Sequence, residues 1–94
     1  MTKSDIIQIV SEGTGLSKVE TQTVLEGFFA TVRYAMKQND RVEIRGFGSF
    51  KKVKRNARTA RNPKTNESVE VPEHDTVVFR PAKTLKAFIN EKND

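Results

Sequence analysis

Residues 51–64 read KKVKRNARTARNPK, and this stretch carries the excess charge of the whole chain. It holds seven Lys or Arg residues and no acid, whereas residues 1–50 hold six basic and six acidic side chains and residues 65–94 hold four and six. The net charge of +5 is therefore local, as is typical of a nucleic-acid-binding surface. Asn62-Pro63 near its end is a turn dipeptide. We predict a basic strand, a turn at Asn62-Pro63 and a returning strand.

The length and composition set limits on the class of protein. At 94 residues the chain is one small domain, and such a domain buries only about 60 to 65% of its unfolded surface. An extended arm leaves even fewer residues for the core, so we expect a dimer. The absence of Cys excludes disulfides and thiolate metal sites. No apolar run approaches the roughly 20 residues of a membrane span, and no signal peptide opens the chain, so the expected location is cytoplasmic.

Two capping boxes predict two N-terminal helices. TKSD at residues 2–5, with Asp in the place of Glu, precedes a helix that ends at a Gly-Thr-Gly segment. SKVE at residues 17–20 starts a longer helix that ends near residues 39–40. The apolar stripe of this second helix is wider than the first helix can cover, because Phe28 and Phe29 are adjacent. We expect a partner subunit to cover the remainder.

Strand patterns follow the two helices. Residues 41–45 alternate charged and β-branched residues, which is typical of a half-buried strand. A second strand begins at residues 49–50 and runs into the basic stretch, and residues 67–71 form the returning strand. Pro72 fits an edge strand or a bulge, because it has no N–H to donate. Residues 76–80 then return to the body of the protein as a buried strand.

Pro81 begins a short final helix. The predicted fold class is therefore α+β: two N-terminal helices, a three-stranded antiparallel sheet with a long protruding β-arm, and a short C-terminal helix. We divide the single domain into a helical dimerisation base (1–40), a sheet body with the final helix (41–53 and 76–94), and the β-arm (54–75).

The basic stretch has two interpretations, a DNA contact and a solvated charged loop. Its charges alternate with small residues and strand patterns flank it, which favours the nucleic-acid contact. Arg55, Arg58 and Arg61 recur every three residues, so a regular strand alternates their faces, and a bulge or twist is needed to align them. Their planar guanidinium groups suit phosphate and narrow minor-groove contacts.

Pro63 also has two interpretations. A rigid apolar ring at the tip of a basic arm can wedge between base steps, unstack them and kink the duplex. Proline also serves as a simple turn former. The residues alone favour the turn former.

Other classes of protein find less support. RGFG at residues 45–48 matches the start of an RNA-recognition signature, but the match fails at Ser49 and that fold begins with a strand. A helix-turn-helix is disfavoured because the second helix is long and mostly apolar. His74 is the only histidine, so neither a His-based metal cluster nor a Ser-His-Asp triad can form. We expect His74 on the surface, no metal site, no cofactor and no enzymatic activity.

Three segments together resemble the HU and integration host factor family of DNA-bending proteins. They are RGFGSF at residues 45–50, RNPKT at residues 61–65 and FRPAK at residues 79–83. The resemblance covers essentially the whole chain, and the first two segments at this spacing are specific. It implies an intertwined dimer whose two β-arms embrace the minor groove of double-stranded DNA, with Pro63 intercalated at each kink.

The basic stretch and the resemblance together imply a set of contact residues. The expected DNA-binding residues are Lys3, Lys18, Arg41, Arg45, Lys52, Lys54, Arg55, Arg58, Arg61, Asn62, Pro63, Lys64, Arg80 and Lys83. The expected dimer core is formed by Phe28, Phe29, Val32, Ile44, Phe47, Phe50 and Phe79. We expect little or modest sequence preference, a preference for bent, nicked or distorted DNA, and neither a membrane nor a small-molecule substrate as partner.

The sequence departs from the family pattern at two positions. Asn66 stands where the family commonly has Gly, and Asn also tolerates a positive φ, so we expect the turn to be kept. Ala82 replaces a common Gly before Lys83, and this change bears on how closely the backbone approaches a phosphate.

Several alternatives stay open. Arg41, Glu43 and Arg45 resemble the β subunit of integration host factor, where outward groups of this strand help select particular sites. General and site-preferring binding are therefore both compatible with the sequence, as are homodimer and heterodimer. Two rival functions are a single-stranded RNA-binding module that stacks bases on Phe47 and Phe50, and an interaction module whose arm binds an acidic protein. The expected setting is the bacterial nucleoid, where the protein organises or compacts the chromosome.

Overall fold

The computed structural model describes residues 1–91, so the last three residues of the predicted 76–94 segment lie outside the described part. The elements in chain order are α1 (Lys3–Thr14), α2 (Lys18–Lys37), β1 (Val42–Ile44), β2 (Gly48–Arg55), β3 (Arg58–Arg61), β4 (Ser68–Val71), β5 (His74–Pro81) and α3 (Lys83–Ile89). These helices and antiparallel strands confirm the predicted α+β fold class. The chain divides into two compact units, the first covering Met1–Tyr34 and the second beginning at Ala35. None of the described helices is long and apolar enough to cross a membrane.

Both predicted capping boxes are present. The Asp5 N–H donates to Thr2 Oγ1 at 3.3 Å and the Thr2 N–H donates to Asp5 Oδ2 at 2.8 Å, which fixes the start of α1. The Glu20 N–H donates to Ser17 Oγ at 3.0 Å and the Ser17 N–H donates to Glu20 Oε1 at 3.0 Å, which does the same for α2. The bond from the Ser17 N–H lowers the pKa of Glu20, because it stabilises the charged carboxylate. α1 ends at Gly15, whose φ of 78° lies in the left-handed region.

The second unit contains a three-stranded antiparallel sheet in the order β1-β2-β5 and a separate two-stranded sheet of β3 and β4. The smaller sheet lies in the β-arm. Where the sequence predicts one strand running from Ser49 through the basic stretch, the structure interrupts it at residues 56–57. The returning side is interrupted at residues 72–73, because Pro72 has no N–H to donate to a partner strand.

The turn between β1 and β2 owes its two glycines to different constraints. Gly46 has a φ of 81°, a left-handed conformation that strains other residues. Gly48 has an ordinary backbone but no room for a side chain. A Cβ at this position would lie 2.5 Å from Phe79 Cζ and 2.6 Å from the Arg80 carbonyl oxygen. The two glycines of the RGFGSF segment are therefore explained by a left-handed turn at Gly46 and by the close Phe79 ring at Gly48.

The phenylalanine rings of the second unit form one cluster. The Phe79 ring centroid lies 5.4 Å from that of Phe47 and 5.0 Å from that of Phe50, within the range of favourable aromatic pairs. Among the described residues, the buried hydrophobic side chains are only Ala35 and Met36. A core this small is marginal for an isolated chain.

Candidate nucleic-acid interface

Strand alternation divides the sheet into two chemically different faces. Directly opposed residues of antiparallel strands share a face, and successive residues alternate. Opposite each other on one face stand Ser49 and Arg80, Lys51 and Val78, Val53 and Thr76, and Arg55 and His74. On the other face stand Phe50 and Phe79, Lys52 and Val77, and Lys54 and Asp75, together with Val42 and Ile44 of β1. We call these the basic face and the apolar face.

The cations on the apolar face are paired with acids. Lys54 Nζ lies 2.8 Å from Glu73 Oε1, and Lys52 Nζ lies 3.9 Å from Asp75 Oδ2. Both lysines are predicted DNA contacts, and both sit at the root of the β-arm. Their charges are therefore partly neutralised on the face that carries the phenylalanine cluster.

Three cations on the basic face have no such partners among the described residues. Within residues 1–91, no carboxylate lies within 4.0 Å of the charged nitrogens of Lys51, Arg55 or Arg80. All three side chains are exposed. Of the seven cations in residues 51–64, the strand register thus directs Lys51 and Arg55 to one side of the sheet, where Arg80 of β5 joins them.

Three arginines surround an open recess at one end of the basic face. Its lining includes Arg41, Arg45 and Arg80, together with Ser49, Ala82 and one acid, Glu43, which the register places opposite Ser49. Arg41 Nη2 lies 4.0 Å from Glu43 Oε2, at the limit of an ion pair, and both side chains are exposed. Three arginines and one carboxylate leave this recess with an excess of positive charge, which favours anions, since each guanidinium offers several N–H donors and a permanent charge.

The interruption of the strand brings Arg55 and Arg58 to one place. An offset of three residues in a regular strand puts side chains on opposite faces. Residues 56–57 are not in a strand, and both arginines line a single recess together with His74 and Thr76. The predicted need for a bulge or twist to align these arginines is met by this break. Arg61 lies further along the arm, and its Nη1 donates to Asn66 Oδ1 at 3.4 Å.

Hydrogen bonds fix the tip of the β-arm. The Asn66 N–H donates to the Asn62 carbonyl at 2.7 Å, and the Asn62 N–H donates to the Glu67 carbonyl at 2.8 Å. The Asn62 Oδ1 accepts from the Lys64 N–H at 3.0 Å. Asn66 has a φ of 60°, so the expectation that Asn keeps the turn in place of Gly is confirmed. Pro63 lies in this closed turn with its ring exposed.

Two predicted contacts belong to the first unit. Lys3 Nζ lies 2.6 Å from Glu26 Oε1, and the bond joins α1 to α2. The hydrogen bond and the charge of Lys3 lower the pKa of Glu26. Lys18 is the first residue of α2 and is exposed.

Lys83 and Ala82 begin α3. Ala82 has a φ of −69° and a ψ of 155°, so this backbone does not require Gly. The turn of β1 and β2 holds the start of the helix, because the Ala82 N–H donates to the Phe47 carbonyl at 2.8 Å and the Thr84 hydroxyl donates to the Gly46 carbonyl at 3.1 Å. Lys83 is exposed at this fixed position.

The predicted dimer-core residues lie in both units. In α2, the Phe28 and Phe29 ring centroids are 5.9 Å apart, and Val32 is half-buried. In the second unit, Ile44 and Phe50 are half-buried, whereas Phe47 and Phe79 are 45% and 37% exposed. These large apolar groups are available to a partner surface.

Sequence reasoning left Lys51 out of the expected contacts and included Lys52 and Lys54. The signal that separates them is the alternation from Phe50: if Phe50 faces the core, Lys52 and Lys54 share its face and Lys51 does not. His74 was expected only to be a surface residue, and its place beside Arg55 depends on the pairing of β2 with β5.

Comparisons with known proteins show the family of the chain. Residues 1–90 match the family model described as bacterial DNA-binding protein. The chain belongs to this family. It is therefore an architectural DNA-binding protein of the HU and integration host factor type, not an enzyme. The predicted resemblance and the expected partner, double-stranded DNA, are confirmed.

Relatives of both kinds match nearly the whole chain. DNA-binding protein HU-1 of Halalkalibacterium halodurans is 38% identical over 90 residues, which is 96% of this chain and 100% of the relative. The integration host factor alpha subunit of Myxococcus xanthus is also 38% identical over 90 residues, covering 96% of this chain and 70% of the relative.

Solved structures show the same fold. The structure described as an Anabaena HU-DNA cocrystal matches with a TM-score of 0.86 and 33% identity, covering 98% of this chain and 100% of the other. HU from Thermotoga maritima matches with a TM-score of 0.68 and 23% identity, covering 96% of this chain and 100% of the other, and supports the fold alone.

Proposed function

We propose that two copies of this chain, or one copy and a related subunit, clasp duplex DNA through its minor groove and bend it by inserting Pro63. The observation that carries the proposal is an exposed proline at the tip of a β-arm, whose root presents, on one face, cations without an acidic partner among the described residues. The DNA of a bacterial cell lies in the nucleoid, so we place the protein there, in the cytoplasm.

The charge supplies the affinity in this proposal. Lys51, Arg55 and Arg80 on the basic face have no acidic partner among the described residues, so they are available to phosphates. Each neutralised phosphate releases counterions, and log K then falls with log salt by about 0.9 per phosphate. A DNA affinity that does not change with salt concentration would contradict this part of the proposal.

The tip supplies the bend. The bonds of Asn62 with Asn66, Glu67 and Lys64 hold the turn, so little conformational freedom is lost when Pro63 enters the duplex. Unstacking a base step costs a few kcal/mol, which the extra contacts of bent DNA offset. Arg58 and Arg61 on β3 flank the approach to the tip and suit a narrow minor groove.

Exposed phenylalanines in both units support dimerisation. Phe47 and Phe79 are 45% and 37% exposed, and Phe28 in α2 is 40% exposed. Burying such rings contributes about 25 cal/mol per Å² of apolar surface removed from water. A second subunit that covers them also supplies the second arm. Measuring the molecular mass of the protein in solution at micromolar concentration tests dimerisation, and a monomer would contradict it.

The bending experiment compares two prolines of the β-arm. A duplex labelled at both ends is saturated with wild-type protein, Pro63→Ala or Pro72→Ala, and the end-to-end distance is measured by energy transfer. Pro72 is also exposed but lies at the break between β4 and β5. We expect Pro63→Ala to lose most of the bend and Pro72→Ala to keep it. Unchanged bending by Pro63→Ala would show that the ring is a turn former only.

The structure favours one alternative function, site-preferring DNA binding, and disfavours another, single-stranded RNA binding. Site preference is supported by the recess of Arg41, Arg45 and Arg80, and selection from random duplexes tests it. Single-stranded RNA binding through Phe47 and Phe50 is disfavoured, because both rings pack against Phe79 and Phe50 lies on the apolar face. Competition between nicked duplex and single-stranded RNA separates these functions, and we expect the duplex to win.

A further inference from the structure

We propose that His74 is a further phosphodiester contact and that it makes DNA binding depend on pH. This inference rests on the proposed function, because it needs DNA on the basic face. Histidine is the side chain that ordinarily changes charge between pH 5 and 8. His74 is the only histidine of the chain, so any such effect has a single source among the histidines.

The strand register places His74 inside the proposed interface. It stands directly opposite Arg55 in the pairing of β5 with β2, so the two side chains share the basic face. Both line one open recess with Arg58, and all three side chains are exposed. A phosphate bound by the two arginines therefore lies within reach of the imidazole.

The hydrogen bonding of His74 decides which ring nitrogen gains a proton when the pH falls. Nδ1 lies 2.9 Å from the carbonyl oxygen of Pro72. A carbonyl oxygen only accepts, so Nδ1 carries the proton and donates this bond. In the neutral ring Nε2 is then an acceptor, which does not bind phosphate. Protonation turns Nε2 into a donor and adds a positive charge, which does.

The charged groups around His74 come from three elements. Arg55 on β2 and Arg58 on β3 are cations, and the flanking acids are Glu73 and Asp75. These acids are engaged by lysines of the apolar face, with Glu73 at 2.8 Å from Lys54 and Asp75 at 3.9 Å from Lys52. The partner gained on DNA binding is thus the phosphate. Because it favours the protonated ring, binding takes up protons and affinity rises as pH falls.

The experiment measures affinity for a labelled random-sequence duplex by fluorescence anisotropy, at constant ionic strength. We expect the wild-type protein to bind about three- to eightfold more tightly near pH 5.5 than near pH 7.5 for each His74 that contacts the DNA. The slope of log K against log salt steepens by about 0.9 for each protonated His74. Glu20 and Glu26 do not interfere, because the pKa of each carboxyl is lowered further from this range.

Two variants complete the test. His74→Gln keeps a polar side chain that does not gain a charge. We expect this variant to bind DNA equally at both pH values, and as weakly as wild type does near pH 7.5. His74→Lys keeps a positive charge and is expected to bind at pH 7.5 as tightly as wild type does near pH 5.5. Circular dichroism confirms that each variant is folded.

Each outcome has a distinct meaning. If wild type and His74→Gln change equally with pH, His74 is not a contact and this inference is wrong. If all three proteins bind with a flat salt dependence, the proposed DNA interface itself is wrong. A pH effect that is lost in His74→Gln and replaced by constant tight binding in His74→Lys supports both.

Discussion

The two faces of the β1-β2-β5 sheet come from the same short strands, yet they differ in what surrounds their cations. On the apolar face, Lys52 and Lys54 have acidic partners and lie with the phenylalanine cluster. On the basic face, Lys51 and Arg55 have none among the described residues. A run of positive charge in a sequence is therefore not one surface. The period of two in a strand divides it, and pairing with distant acids decides which half attracts DNA.

The largest expected effect is on stability, and it distinguishes Gly48 from its neighbour Ser49 on the opposite face of the sheet. Gly48→Ala places a Cβ 2.5 Å from the Phe79 ring and 2.6 Å from the Arg80 carbonyl oxygen. We expect it to lower the free energy of unfolding by about 1–3 kcal/mol or more, as overpacking does. Urea denaturation measures this change.

Ser49→Ala is the matched control on the basic face. Ser49 is buried, and removing its hydroxyl leaves no clash, so we expect a change below about 1 kcal/mol. Equal destabilisation by the two variants would show that the apolar face is not the tightly packed side.

The next effect compares charges on the two faces. We expect Lys51→Ala combined with Arg55→Ala to weaken DNA binding by about 10- to 100-fold for each subunit of the dimer at 0.1 M salt, because each lost phosphate contact costs close to tenfold there. Lys52→Ala combined with Lys54→Ala removes the same number of charges. We expect a loss below about threefold, because acids already partly neutralise these lysines and because they face away from the DNA. Fluorescence anisotropy measures both.

The smallest effect concerns the remaining paired lysine, Lys3 in the first unit. The Lys3 bond lowers the pKa of Glu26, so the stabilisation is present above the unfolded pKa and is lost as pH falls through the folded value. We expect Glu26→Gln to unfold at slightly lower urea than wild type near pH 7 and at the same urea near pH 3. A difference that persists in acid would show that the pair is not its source.

Much of the fold follows from local sequence signals. The capping boxes at Thr2 and Ser17 act over three residues, and Gly46 marks a backbone conformation that few residues adopt. Asn66 is similar, since its own φ explains its place in the tip.

What the sequence did not predict depends on contacts between distant residues. The pairs of Lys52 with Asp75 and Lys54 with Glu73 exist only when β2 and β5 align in one register. The same register places His74 opposite Arg55. The sequence predicts a bulge or twist in the arm, but the position of the break at residues 56–57, opposite residues 72–73, depends on the pairing of the strands. Charge counting alone treats all these lysines as equal, and a register shift of one residue would exchange the two faces.

The central claim is that DNA is bound by the basic face and not by the basic stretch as a whole. The most direct test is the slope of log K against log salt for the two double variants and wild type. We predict that Lys51→Ala with Arg55→Ala makes the slope shallower by about 1.8 per subunit, whereas Lys52→Ala with Lys54→Ala leaves it unchanged. Equal changes in the two slopes would contradict the claim.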